Sequence, residues 1–303
     1  MNALSPPLRY FEEVARHGSV RRAAEHLHIA PSAITRQVKN FEELLGVPLF
    51  ERLPRGVRLT SAGELMLFGV RRLQREFEAS LSQVDALKGL RRGKVRIGVL
   101  QYLSERFVPT LVAEVHGNYP GISFTVHVGN SDDIAHRIAN GDLDIGLCWT
   151  PSASVPLRQV RSAPVAIGLV VPAGHALAKR RTVGFRECAT LPLIVPTVEM
   201  ELRRMLDNLQ AGTAARAEPL LQTNSIAAMR QLVLDGTGVA IMTRVSVLED
   251  IRRGDLVHVP LSDRGVKAMQ FSLLVRAEQN LSVAAALVLE RLEAGFAGYA
   301  GPK

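Results

Sequence analysis

VRRAAEHLHIAPSAITRQVK, residues 20–39, decides how this chain is read. Ala23, Ala24 and Leu27 form the apolar face of a short helix over Val20–His26, and adjacent alanines let another helix approach closely. His28-Ile29-Ala30 is a three-residue turn, and Pro31 suits the first position of the next helix, where its missing N–H is no loss. From there Ile34, Val38, Phe41 and Leu45 recur at helical steps as a buried stripe, and Gly46 stops the helix. The opposite face carries Ser32, Thr35, Arg36 and Lys39, short hydroxyls and cations that suit base edges and phosphates. Two tight helices with a short turn, the second presenting donors, follow the helix-turn-helix design. Any solvated helix shows cations, so the turn length, the paired alanines and Pro31 carry this reading.

Upstream, Leu4, Leu8, Phe11 and Val14 predict a first helix that ends at His17-Gly18-Ser19, with Ser19 as the next N-cap. Downstream, Pro54-Arg55-Gly56 turns between two short strands that carry Arg52, Arg55 and Arg58. A basic hairpin beside a helix-turn-helix is a wing able to reach phosphates or the minor groove. Ser61-Ala-Gly-Glu64 matches a capping box and opens a long helix reaching about residue 88. Met66, Val70, Leu73, Phe77, Ser80, Val84 and Leu87 alternate steps of four and three, a heptad seam with one polar member. Val70, Leu73, Phe77, Val84 and Leu87 are therefore the expected dimerisation residues, the partner being a second copy.

The run from Leu8 to Gly63 resembles, without gaps, the winged helix-turn-helix of LysR-type transcriptional regulators. The rest of the chain resembles the family more loosely, in its length and order of parts. The resemblance implies paired DNA-binding domains, a dimerising linker helix and a C-terminal effector domain similar to periplasmic solute-binding proteins. It also implies a homotetramer built as a dimer of dimers, with RNA polymerase a further candidate partner. Carried over by position, the base-reading helix falls on Pro31, Ser32, Thr35, Arg36 and Lys39, and the wing contact on Arg52 with Arg55 nearby. The family often has a serine where Ala30 stands, so a hydroxyl cap or phosphate contact is missing here, and operator preference does not follow from relatives.

Beyond Arg91-Arg92-Gly93 the pattern changes to short apolar runs alternating with helical segments. Val95–Val99, Ile122–Val128 and Leu143–Cys148 read as strands separated by helices, a β-α-β-α-β order that argues a parallel sheet covered on both faces. Ile122, Phe124, Val126 and Val128 alternate with polar residues, which predicts a strand buried mainly on one face. A second set begins at Val165–Val171, with strands near Leu193–Val195, Val239–Met242 and Leu256–Val259. The resemblance returns Phe271–Arg276 and a helix over Ser282–Phe296 to the first lobe. The expected fold is a multidomain α+β and α/β chain. It comprises a winged helix-turn-helix over residues 1–60, a linker helix over 61–90 and a two-lobed α/β effector domain over 91–303. Lobe I takes residues 91–162 and 268–303, and lobe II residues 163–267.

Small ligands bind where strand ends of two such lobes face each other. Leu100, Gln101 and Tyr102 follow the first strand, Trp149 and Thr150 follow the strand ending at Cys148, and Thr197 follows the Leu193–Val195 strand. Thr223 and Asn224 open the next helix with Ser225. Hydroxyls and amides at helix N-termini suit an anionic or carboxylate ligand, although such residues also serve as ordinary caps. Relatives commonly place a hydroxyl directly after the first strand, where this chain has Leu-Gln-Tyr-Leu. That difference points to an effector with an amide, aromatic or apolar part rather than a bare oxyanion.

Composition narrows the classes. The 303 residues hold 37 Lys and Arg against 29 Asp and Glu, a net charge of +8, which permits a polyanionic partner. Residues 1–92 carry 15 basic and 10 acidic side chains, most of that excess. Uncharged runs such as Ser162–Gly174 are 13 residues long, too short to cross a bilayer, and the N-terminus lacks a signal-peptide core. Cys148 and Cys188 alone make no disulfide framework, so the cytoplasm is expected. Cys148, at the end of an apolar strand, reads as a core residue. The competing classes are a cytoplasmic solute-binding protein and an enzyme with an accessory nucleic-acid-binding domain. No nucleophile elbow, P-loop or dinucleotide fingerprint is present, and the eight histidines show no metal-ligand spacing, so neither catalysis nor a cofactor is expected. The leading expectation is a DNA-binding regulator of double-stranded operators, responsive to a small-molecule effector.

Overall fold

The computed structural model describes residues 4–88, 91–152, 154–211, 218–277 and 281–300, and the chain forms two compact units that part near residue 93. The expected linker boundary at residue 90 lies outside the described residues.

In the first unit, helices α1 (Pro6–His17), α2 (Val20–Leu27) and α3 (Pro31–Leu45) precede strands β1 (Phe50–Leu53) and β2 (Gly56–Leu59) and helix α4 (Ser61–Leu87). Phe11, Val14, Ala23, Ala24, Ile34 and Leu49 are almost wholly inaccessible. Each large side chain among them stabilises by roughly 1.5–3 kcal/mol of apolar transfer. Phe11 meets Phe41 edge-on at 6.0 Å and Phe50 at 5.3 Å between ring centroids. Ile34 and Val38 are buried as the α3 stripe requires, whereas Phe41 and Leu45 are half-buried at its margin. Ser19 caps α2 by accepting the Arg22 N–H.

The wing is clamped from two sides. Glu42 Oε1 accepts the backbone N–H groups of Leu49 (2.7 Å) and Phe50 (3.1 Å). Val57 N–H donates to the Gly18 carbonyl at 2.9 Å, where Gly18 in the left-handed region ends α1. That approach explains Gly56: a Cβ there would stand 2.3 Å from the Gly18 oxygen, and its φ is +108°.

Two sequence expectations are corrected in α4. The cap is Thr60, whose hydroxyl accepts the Gly63 N–H at 3.0 Å and donates to the Pro48 carbonyl at 2.8 Å, so Ser61 is already helical. Val70 does not belong to an exposed seam. It is buried in the same core cluster as Leu4, Phe11 and Leu49, because the first turns of the helix pack on its own winged domain. Leu73, Phe77, Val84 and Leu87 are 37–89% exposed, with Leu65, Phe68 and Leu81 also exposed. Over 27 residues the helix spans about 40 Å.

α3 begins at Ala30 with extended backbone and no side-chain cap. Ala30→Ser is expected to stabilise the first unit by about 1 kcal/mol, since a hydroxyl there accepts an orphan N–H of the first turn. Thermal unfolding measures it; an unchanged or lower melting temperature refutes the capping argument.

The second unit contains two five-stranded sheets. The first set comprises β3 (Gly93–Val99), α5 (Gln101–Ser104), α6 (Phe107–Asn118), β4 (Ile122–Val128), α7 (Ser131–Ala139), β5 (Ile145–Trp149) and β6 (Leu157–Val165). Then come β7 (Ile167–Pro172), α8 (Phe185–Cys188), β8 (Leu193–Pro196), α9 (Glu201–Ala211), β9 (Leu221–Thr223), α10 (Ile226–Leu234), β10 (Val239–Thr243), α11 (Leu248–Arg253) and β11 (Leu256–Pro260). β12 (Met269–Arg276) and α12 (Val283–Ala300) close the chain. The strand orders are β4-β3-β5-β12-β6 and β11-β7-β10-β8-β9.

Neither sheet is wholly parallel. β3 and β5 are parallel, but β12 runs antiparallel to both β5 and β6, because the chain returns from the second lobe to enter the first sheet. In the second sheet β8, β9 and β10 are parallel while β7 pairs antiparallel with β10 and β11. β10 is buried at every residue and lies centrally, in keeping with the apolar run Val239–Met242 that ends at Thr243. β4 departs from the expected one-sided burial. It is an edge strand in which only Ile122 is fully buried, and Val126 and Val128 are exposed.

Candidate nucleic-acid interface and effector cavity

α3 and the wing expose every side chain singled out for DNA. Ser32, Thr35, Arg36 and Lys39 lie on the face of α3 opposite buried Ile34 and Val38, with Pro31 exposed at its start. The Thr35 hydroxyl donates to the Pro31 carbonyl at 3.0 Å, leaving its lone pairs outward as acceptors. Lys39 pairs loosely with Glu43 at 3.3 Å, an exposed contact that a phosphate can replace at small cost. Across the wing Arg58 is engaged with Glu51 at 2.7 Å. Arg52 and Arg55, exposed on the β1 strand and the turn, form no ion pair among the described residues. Unpaired cations on a rigid hairpin beside a donor-lined helix present the charge pattern a duplex backbone requires.

The second unit holds a cavity of about 430 Å³ between its two sheets, within the usual size for small-molecule sites. Leu100, Gln101, Tyr102, Trp149 and Asn224 line it. Three sequence candidates do not. Thr150 continues the ladder to β12, its N–H on the Gln270 carbonyl at 2.8 Å and its hydroxyl 2.9 Å from Ser272. Thr223 ends β9 and its hydroxyl accepts the Ser225 N–H, while the Thr197 N–H bonds back to the Thr223 carbonyl. The Thr150 hydroxyl thus serves the sheet and that of Thr223 a local turn, while the Thr197 hydroxyl is buried. The cap of α10 is Ser225, which accepts the Ala228 N–H at 3.2 Å.

Sequence reasoning missed the polar part of this cavity: Asn130, Ser131, Glu199, Glu201, Thr243 and Ser246. Only the acidic pair in Thr197-Val-Glu-Met-Glu-Leu202, at a helix start, was a signal within reach. Burial raises the Glu201 carboxyl above its ordinary range, partly offset by the Ser131 hydroxyl. Glu199 is held low, first by its own backbone N–H and then by the Thr197 hydroxyl. The Tyr102 oxygen is buried with no hydrogen-bond partner among the described residues, and burial, then Cys148 and Glu201, push its phenol well up. Its ring lies 6.2 Å from Trp149, which meets Phe271 edge-on at 5.5 Å. Gln101 reaches across the cleft, accepting the Ile226 N–H at 3.3 Å.

Both cysteines are buried and unpaired. Burial pushes the Cys148 thiol far up and the Cys188 thiol to about 12, so neither presents the thiolate that redox chemistry uses. His258, 7% exposed, is held near 4 by burial and stays neutral.

Residues 7–64 match the family described as "Bacterial regulatory helix-turn-helix protein, lysR family", and residues 88–297 match "LysR substrate binding domain". The chain belongs to the LysR-type transcriptional regulators. The regulator is 26% identical over 281 residues to the HTH-type transcriptional regulator CbbR of Rhodospirillum rubrum, covering 93% of each chain. It is 25% identical over 293 residues to the HTH-type transcriptional activator CmpR of Synechocystis sp., covering 96% of this chain and 95% of that one. Among solved structures, a full-length OxyR variant from Pseudomonas aeruginosa superposes with a TM-score of 0.65 at 20% identity, over 95% of the regulator and 92% of OxyR. Full-length CbnR in complex with its target DNA gives 0.58 at 21% identity, over 94% and 96% of the two chains. These likenesses show a shared fold. The regulator thus joins a helix-turn-helix DNA-binding domain to an effector-binding domain, and its named relatives regulate transcription. Among the described residues no helix is long and apolar enough to cross a membrane.

Proposed function

We propose that Pro31, Ser32, Thr35, Arg36 and Lys39 read operator DNA in the major groove while Arg52 and Arg55 hold the adjacent backbone. Two chains pair through Leu73, Phe77, Val84 and Leu87 of α4, and two such pairs assemble on the operator. Exposed leucine, phenylalanine and valine along one long helix support the pairing. The regulator works in the cytoplasm, carries out no catalytic step, and changes its assembly when effector fills the cavity of the second unit.

The effector is a neutral or cationic organic molecule, an amine or amide with an apolar body, rather than a carboxylate or phosphate. The observation that carries this reading is the charge of the lining: Glu199 and Glu201 are present, and no lysine, arginine or histidine. The helix N-termini around the cavity suit anions in principle. Here their first turns already hold acceptors from the chain itself: Asn130 takes the Asp133 N–H, Gln101 that of Ile226, and Ser225 that of Ala228. Trp149 and Tyr102 add faces on which a cation or flat apolar group rests.

A thermal-shift screen comparing amines, amides and carboxylates tests this, with the fluorescence of Trp149, the single tryptophan, as the local readout. A ligand at 100 times its dissociation constant adds about 2.7 kcal/mol. The expected hit carries an amine or amide, quenches or shifts Trp149, and binds at least about tenfold more weakly to Glu201→Gln, a loss of roughly 1.4 kcal/mol. A carboxylate or phosphate whose binding strengthens in Glu201→Gln overturns the assignment.

A further inference from the structure

The first unit holds a second polar cluster, unrelated to the DNA-facing side chains. Glu13 and His17 stand one turn apart on α1, and His26 lies in the last turn of α2. His17 Nε2 is 3.4 Å from Glu13 Oε2, and His26 Nε2 is 3.8 Å from that same oxygen. The imidazole rings are 5.1 Å apart and tilted by 47°. All three ligand atoms lie within 4.8 Å of one another.

Two of these atoms are orphans. Glu13 is 8% exposed, and its Oε2 and the His17 Nε2 are buried without a hydrogen-bond partner among the described residues. The other Glu13 oxygen is held by Arg16 Nη1 at 2.9 Å, which fixes the carboxylate with Oε2 turned to the imidazoles. A buried carboxylate oxygen lacking a partner is destabilising, as is a buried imidazole nitrogen. Imidazole N–H groups donating to this oxygen would serve it from 3.4 and 3.8 Å, longer than a good hydrogen bond. A single ion satisfies all three atoms together. Zinc bonds nitrogen and oxygen at about 2.0–2.1 Å, which sets tetrahedral ligands roughly 3.3–3.4 Å apart. The observed 3.4 and 3.8 Å to Glu13 lie within a few tenths of an ångström of that spacing, and the two imidazoles, within 4.8 Å of each other, close on the ion by rotation of the exposed His26 side chain. Two imidazoles and one carboxylate select a borderline transition metal over calcium or magnesium, which prefer oxygen-only shells.

We infer that Glu13, His17 and His26 form a three-ligand site for a zinc-class divalent cation, with water in the fourth position. The ion ties α1 to α2, the pair against which α3 rests, so binding it stabilises the helix-turn-helix.

The test uses the full chain, stripped with a chelator and titrated with Co²⁺ by visible absorption, then with Zn²⁺ by calorimetry. One ion per chain is expected, with the ligand-field bands of a low-coordinate Co²⁺ site, displacement by Zn²⁺, and a melting temperature raised by Zn²⁺. His26 is half-exposed, so His26→Ala keeps the fold; it is expected to weaken binding by more than about tenfold and to remove the Zn²⁺-dependent rise in melting temperature. Glu13→Gln gives the same loss where it folds, and His116→Ala, an exposed histidine of α6, leaves binding unchanged. Absence of Co²⁺ bands at micromolar protein, or equal binding by wild type and His26→Ala, overturns the site.

Discussion

Raising salt from 50 to 200 mM is expected to weaken operator binding by about 10³–10⁵. Arg36, Lys39, Arg52 and Arg55 are all exposed, and among the described residues only Lys39 of these has an acidic partner, one it holds loosely. Two chains therefore bring eight cations to the duplex, inside the range of about 6–10 phosphate contacts that gives such a loss. The chain's own selection of a duplex from a random pool supplies the site. Removing Arg52 and Arg55 together should take four contacts from a dimer and lower the log–log salt slope by about 3–4. Arg36→Ala should act differently, costing about 1–3 kcal/mol and relaxing preference at one base position, because a guanidinium reads a base bidentately. Fluorescence anisotropy across a salt series separates the two. A slope unchanged by loss of both wing arginines removes the wing from the interface, and unchanged specificity in Arg36→Ala removes α3 as the reader.

Phe11→Ala is expected to destabilise the first unit by about 3–5 kcal/mol. Phe11 is wholly buried, edge-on to Phe41 of α3 and tilted against Phe50 of β1, and packed with Leu49 and Val70. One side chain thus joins α1, α3, the wing and the start of α4. Its loss leaves a cavity where these elements meet, in a domain too small to spare several kcal/mol. DNA binding should be lost at ordinary temperatures. Ligand-induced change in Trp149 fluorescence should persist, since Trp149 belongs to the other compact unit. Calorimetry is expected to show the lower transition shifted down and the upper one in place. A shift under about 1 kcal/mol in the first transition means the core closes around the gap more completely than its packing suggests.

The two units were not equally legible in the sequence. In the first, contacts are short in sequence, and each helix declares its buried face through residues three and four apart. Ile34 and Val38 turn inward and Arg36 and Lys39 outward for that reason alone. The heptad seam misled at Val70 because the same period serves a helix packed on its own domain and one packed on a partner. Glu13 and His17 share a face that spacing reveals. His26 joins them only because the turn at Gly18 folds α2 back on α1, with Gly18 bonded to Val14 and the wing closing over it.

In the second unit, apolar strands and helix caps followed from local pattern, and Leu100, Gln101, Tyr102, Trp149 and Asn224 were reachable as residues at strand ends and helix starts. Thr150, Thr197 and Thr223 have the same local signature and lie elsewhere, since a hydroxyl beside a strand end serves a sheet or a turn as readily as a ligand. By itself the sequence determined the helix-turn-helix, the wing and two successive α/β sets, consequences of hydrophobic period and turn chemistry over a few residues, while the resemblance of the Leu8–Gly63 run pointed to the family. Tertiary structure alone decided the mixed sheets, the inward turn of Val70, and the meeting of Ser131, Glu199 and Glu201 with Tyr102 around one cavity. Those pairings join positions dozens of residues apart, and which strand lies beside which is settled by the burial of whole sheets rather than by any local preference.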